Sequence, residues 1–197
     1  MSKGRVEAFS DGVLAIILTI MAFELKVPTG GDLTALGPLV PLFLTYALSF
    51  LTVAIFWSNH HHLFQAAVRV DSAVLWANLN LLFWLSLMPF ATGWMGANSS
   101  APVPVAAYGV VMLLAAFSYW NLQHILVGQA GPASVLAQAI RSDRKGLVTL
   151  AIVSCGIPCA IFAPWLSQAL YVTSAAIWLV PDSRIERALS APSSRAA

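Results

Sequence analysis

Charged residues divide the chain into four uncharged runs, Gly12 to Phe23, Leu33 to Val68, Ser72 to Ile140 and Gly146 to Pro181, each dominated by apolar side chains. A helix needs about 20 consecutive apolar residues to cross a hydrocarbon core of about 30 Å. The first run is shorter than that, so its helix must extend back through Phe9 towards Arg5, with its charged first turns at the interface or inside protein. This predicts a helix over residues 5–26. The second run opens on a Gly37-Pro38 turn and holds one helix over 38–66, long enough for its last turns to project from the bilayer. The third splits at Gly96-Ala97-Asn98-Ser99-Ser100 into helices over 71–94 and 102–127; the remainder, Gly128 to Ser142, is too short to cross. The fourth contains Pro158 and Pro164 and divides into two short helices around Ala163-Pro164. The expectation is an all-α integral membrane protein with six transmembrane helices, without strands or a repeat between its halves. Residues 1–182 form the transmembrane domain, and 183–197 a short cytoplasmic tail, disordered at its end.

Composition agrees with this reading. Hydrophobic residues make up 59% of the chain and charged residues 9%, against about 45–50% and about 25% in a soluble domain. The net charge of +2 has no basic run behind it, which argues against a nucleic-acid partner. Lys3, Arg5, Arg69, Arg141, Arg144, Lys145, Arg184, Arg187 and Arg195 fall on one side of a six-helix arrangement, and only Lys26 on the other. The positive-inside rule then makes both termini cytoplasmic in a multi-pass protein of the cell membrane. Glu7 and Asp11 in the first stretch, with no small-residue cleavage site after it, argue against a removable signal peptide. Cys155 and Cys159 lie within an apolar run as i, i+4 core fillers and say nothing of an oxidising compartment.

On a wheel of 100° per residue with Ile16 as zero, Arg5, Phe9, Gly12, Ile20, Phe23 and Val27 fall within about 40° of it, and Thr19 about 60° away. Ser10 and Asp11 lie about 120° and 140° off, on either side of the back surface. The helix therefore has a bulky apolar stripe and, behind it, a carboxylate at membrane depth. A carboxylate there needs a partner, because leaving it against lipid costs at least about 2.5 kcal/mol. Trp57, His60, His61, His62 and Phe64 stand about two turns before Arg69, at the depth of Asp11, and Asn78 enters the next helix at a matching level. Topology thus predicts a buried polar cluster of Ser10, Asp11, His60 and Asn78, with Asp11 and His60 as hydrogen-bonded partners. Trp57 and Trp76 lie close by, while other tryptophans and Tyr46, Tyr108 and Tyr119 include candidate interface anchors.

The segment Arg5-Val6-Glu7-Ala8-Phe9-Ser10-Asp11-Gly12, with an apolar helix running to Pro28, resembles the RxxxFSD signature of the transmembrane protein 175 family of potassium channels. Trp57, His60, Leu63-Phe64, Asn78 and Leu87-Met88-Pro89 extend the match over the first half of the chain; the second half matches only in helix layout. The resemblance implies a homotetramer of single six-helix repeats, with helix 1 of each subunit lining a central pore through which potassium, the permeant species, passes. It implies constricting rings at Ile16, Ile20 and Phe23, where the aromatic Phe23 departs from the family's aliphatic residue, and a selectivity role for Thr19. Arg5, Ser10, Asp11, Trp57, His60 and Asn78 would form the structural network that holds helix 1.

Other chemistries lack the residues they need. Consecutive His60, His61 and His62 point about 100° apart and cannot converge on one metal ion, and His124 reads as a packing or interface residue. There is no phosphate loop, HExxH or nucleophile elbow, so no enzyme or cofactor is expected. The Thr-Val-Gly-Tyr-Gly carbonyl filter is absent too. The rival reading is a proton-coupled secondary transporter titrating Asp11 and His60, disfavoured by the lack of an inverted repeat or broken helix pair. A purely structural membrane subunit is a third.

Overall fold

The structure, a computed structural model, describes residues 2–131, 134, 137 and 144–179. Helix α1 spans Lys3–Phe23. A 3-10 segment, Leu33–Leu39, leads into α2, Val40–Gln65. Pro41 sits in the first turn of α2, where no backbone N–H is missed. Helix α3, Ser72–Ser86, begins at Asp71, whose carboxylate accepts from the Val74 amide at 3.1 Å. Helix α4 is Met88–Ala97 and α5 is Pro102–Ala130, closed by Gly131 at φ +84°, a left-handed value that glycine adopts without a Cβ clash. Helices α6, Arg144–Phe162, and α7, Pro164–Leu179, meet at Ala163.

The expected helix over 71–94 is broken. Pro89 has no amide to give and crowds the carbonyl four residues back, so Leu87 bonds to Trp84 at 3.2 Å in a 3-10 turn before α4 continues. The two pieces still make one span, Ser72–Ala97. Four more stretches are long and apolar enough to cross a membrane: Lys3–Phe23, Leu33–Gln65, Pro102–Ala130 and Arg144–Phe162. The sixth rod, α7, has 16 residues, about 24 Å at 1.5 Å each. Six helical rods are thus present among the described residues, five of them of full crossing length. The expected tail, the boundary at 182/183, and Arg141, Arg184, Arg187 and Arg195 lie outside the described residues, as does most of Gly128 to Ser142.

Side-chain contacts fix which ends lie together. Lys3 Nζ donates to the carbonyls of Gln65 at 3.0 Å and Ala67 at 3.3 Å, joining the start of α1 to the end of α2. Gln129, near the end of α5, donates to Asp71 at 2.7 Å. At the opposite end Gln168 of α7 donates to the Ser99 carbonyl. The core is closed by small residues facing large ones: Gly109 of α5 and Gly156 of α6 both abut the buried Tyr171 of α7, and a Cβ on Gly156 would stand 2.6 Å from its ring. Such close approach is how membrane helices gain contact without a hydrophobic driving force.

Candidate pore helix and its polar anchor

Helix α1 buries one narrow face. Val6, Ser10, Leu14, Ile17 and Met21 recur at intervals of three or four residues and are all buried, which aligns them along one side of a 3.6-residue helix. That side packs on α2, α3 and α4. The stripe about 120° from it is open: Phe9, Ile16, Ile20 and Phe23 are 54%, 60%, 45% and 82% exposed. Arg5, Gly12 and Thr19 are exposed on the same side. The Thr19 hydroxyl donates to the Ala15 carbonyl at 2.9 Å. Its proton is therefore committed to the helix, and its oxygen lone pairs remain on the open side.

A chain of hydrogen bonds anchors the buried face. His60 Nε2 meets Asn78 Oδ1 at 2.7 Å, Asn78 Nδ2 donates to Ser10 Oγ at 2.9 Å, and Ser10 Oγ donates to the Val6 carbonyl at 2.8 Å. Because the Asn78 oxygen can only accept, His60 Nε2 is the donor, and every link runs the same way, from α2 through α3 to α1. His60, Asn78 and Ser10 are 2%, 0% and 0% exposed. Phe64 stacks on the His60 ring, with centroids 4.4 Å apart.

The expected pair of Asp11 and His60 is not formed. Asp11 is exposed at the edge of the open side, and its carboxylate accepts from Trp57 Nε1 at 2.9 Å. The two residues do share a depth, but Asp11 stands 100° on from Ser10. Ser10 therefore enters the interface while Asp11 turns out towards Trp57, one turn earlier than His60 on α2. Trp57 stacks in turn on His61, which bonds to Gln65 at 2.8 Å. The His124 ring nitrogen bonds to the carbonyl of Trp120 on its own helix at 2.8 Å. Among the described residues no three His, Cys, Asp or Glu side chains gather as a metal site would require.

A second buried polar knot has no counterpart in the sequence reading. Ser49 Oγ donates to the Thr45 carbonyl at 2.9 Å and lies 2.7 Å from Thr92 Oγ and 3.1 Å from Tyr108 Oη. It joins α2, α4 and α5 beneath Met21 of α1, whose sulfur lies 3.8 Å from Thr92 Oγ. The available signal was Thr92, a hydroxyl three residues after Pro89 in an apolar span.

Known proteins share both the sequence and this arrangement. Residues 5–89 match the family described as endosomal/lysosomal potassium channel TMEM175. A protein named as a potassium channel from Chryseobacterium sp. (strain P1-3) is 49% identical over 189 residues, 96% of this chain and 98% of its own. Another so named, from Streptomyces collinus, is 34% identical over 180 residues, 85% of each chain. The mouse endosomal/lysosomal proton channel TMEM175 is 36% identical over 103 residues, which are 46% of this chain but 21% of that much longer protein. The crystal structure of a lysosomal potassium-selective channel TMEM175 homolog from Chamaesiphon minutus superposes with a TM-score of 0.80 at 26% identity, covering 91% of this chain and 97% of that one. With an open-faced first helix pinned from behind, and with relatives matched over nearly their whole length, the chain belongs to the TMEM175 family.

Proposed function

We propose that this chain is a potassium-selective leak-like channel of the cell membrane, in which four copies surround a pore lined by the open side of α1. The observation that carries the reading is the division of α1: its polar anchor and packing face look inward, and its bulky apolar stripe is left uncovered. Ile16 and Ile20 form narrow apolar rings in this reading, and Phe23 a wider-set outer one. Such rings offer no oxygens, so an ion passing them keeps part of its water or borrows the lone pairs of Thr19 beside them. Potassium sheds water more readily than sodium, which gives a route to modest selectivity, and narrow apolar rings gate by dewetting. His60, Asn78 and Ser10 fix the rotation of α1 and so the ring diameter, while Trp57 holds Asp11 and Arg5 stands at the inner mouth. Both termini are cytoplasmic, following the distribution of Lys and Arg.

The transporter rival needs a titrating pair of Asp11 and His60, and these side chains bond to Trp57 and Asn78 instead. Because mammalian relatives are named proton channels, proton movement is the quantity to measure beside potassium. Purified protein in planar bilayers under opposed potassium and sodium gradients is expected to give unitary currents reversing towards the potassium potential. Flux that saturates as a carrier's does, or a reversal potential following only the proton gradient, would refute the proposal.

A further inference from the structure

A cavity of about 70 Å³ lies between α2, α5, α6 and α7. Its walls are aromatic and aliphatic, among them Phe56, Met112, Trp120, Val153 and Trp178. Thr149 in the wall already accepts from Trp178 Nε1 at 2.9 Å. Two carboxamides also line it, Asn59 of α2 and Gln123 of α5. Gln123 is 6% exposed and Asn59 half-buried, and among the described residues neither carboxamide forms a side-chain hydrogen bond. Neither is among the fully enclosed side-chain atoms left without a partner, and a carboxamide that lines a cavity with hydrogen-bonding capacity to spare is a natural contact for something inside it. Among the described residues no charged side chain lines the space, so an ionic occupant would lack the pairing there that burial of a charge demands. The volume is about half that of the engineered cavity of about 150 Å³ that admits benzene.

We infer that this cavity is a binding site for a small neutral amphiphile, of the class of short-chain alcohols, whose apolar body fills the aromatic pocket and whose hydroxyl pairs with Gln123 and Asn59. A hydroxyl is both donor and acceptor, so it can meet either end of either amide. The inference does not depend on the conduction reading, because α1 contributes no wall to the cavity.

The test uses the full chain in lipid nanodiscs with two probes, xenon for the apolar space and 1-propanol for the amphiphile. Xenon chemical shift is expected to report a saturable site in the wild type, from which 1-propanol displaces it. Gln123→Leu should keep the xenon site and weaken 1-propanol about 5-fold, the size of one lost neutral hydrogen bond. Ala116→Phe, which fills the pocket from its wall, should abolish both. Circular dichroism and elution volume identify variants that fail to fold; should Gln123→Leu fail, Gln123→Met, closer to glutamine in length and flexibility, replaces it and should weaken 1-propanol by the same amount. A wild type that excludes xenon, 1-propanol that does not compete, or unchanged competition in the Gln123 variant would overturn the inference.

Discussion

The first and last of the described helices, α1 and α7, are held in place by different physics. Helix α1 is tied down by directional bonds: Lys3 to the end of α2, Ser10 to Asn78, and Asp11 to Trp57, with one whole side left uncovered. Helix α7 is held largely by shape, beside bonds from Gln168 to the Ser99 carbonyl and from Trp178 to Thr149. Tyr171 fills a slot between Gly109 and Gly156, and its hydroxyl donates to the Val105 carbonyl at 3.3 Å. Shape packing resists displacement in all directions but does not by itself set which way a helix is turned. A buried hydrogen bond does, because a rotation of one residue leaves its partner orphaned. A helix that must present one chosen stripe to a pore has more need of the second device than a peripheral helix does.

This contrast can be broken most severely on the shape side. Gly156→Ala drives a methyl into the Tyr171 ring and is expected to destabilise the fold by about 1–3 kcal/mol or more, read as a lowered melting temperature. Ion selectivity in the surviving channels should be unchanged. Asn78→Leu comes next. It orphans the buried His60 N–H at about 1–3 kcal/mol, while Ser10 keeps its bond to the Val6 carbonyl, and should alter selectivity as well as stability, because α1 is freed to turn. Were its selectivity intact, the anchor would be only a strut.

A finer cut separates Asp11 from the anchor. In a double-mutant cycle, Asp11→Ala and Trp57→Phe should couple, since each removes the same bond, whereas Asp11→Ala and His60→Ala should add within a few tenths of a kcal/mol. Coupling in the second cycle, read from melting temperature and conductance, would restore the pair that the structure separates. The smallest effect concerns Asp71. The Val74 amide, and after it Gln129, hold its carboxyl below the ordinary value of 3.8. A depressed folded value means that its contribution is present above the unfolded value and is lost as pH falls through the folded one. Wild-type melting temperature should therefore fall slightly more steeply than that of Asp71→Asn below about pH 4.

Much of this arrangement is legible in the chain itself. Counting turns from Arg5, Arg69 and Asp71 is enough to bring Ser10, His60 and Asn78 to one depth, because helix rise is constant. Azimuth is harder. Ser10 and Asp11 differ by 100°, and which of them enters an interface depends on the rotation of α1, which packing against three helices decides. Ser49 and Thr92 escaped for another reason: a lone serine or threonine hydroxyl in an apolar span can satisfy itself on its own backbone carbonyl, as Thr19 does on Ala15, so its presence does not announce a partner; Tyr108, expected among the interface anchors, is instead fully buried. The break at Leu87 was signalled by Pro89, yet a proline in a membrane helix is compatible with a continuous span. The rods were readable from charge spacing, and the glycine slot around Tyr171 was not, because its three residues are far apart in sequence.

Cysteine accessibility tests the central claim most directly. In a background of Cys155→Ser and Cys159→Ser, Ile16→Cys should lose its current on exposure to a water-soluble methanethiosulfonate, and bath potassium at high concentration should slow the loss. Val110→Cys on α5, 40% exposed in the subunit, should conduct unchanged after the same treatment. Block at Ile16 alone is the result this account predicts. An unblocked Ile16→Cys channel, with its thiol shown to be present by mass spectrometry, would place the pore on another face and contradict it.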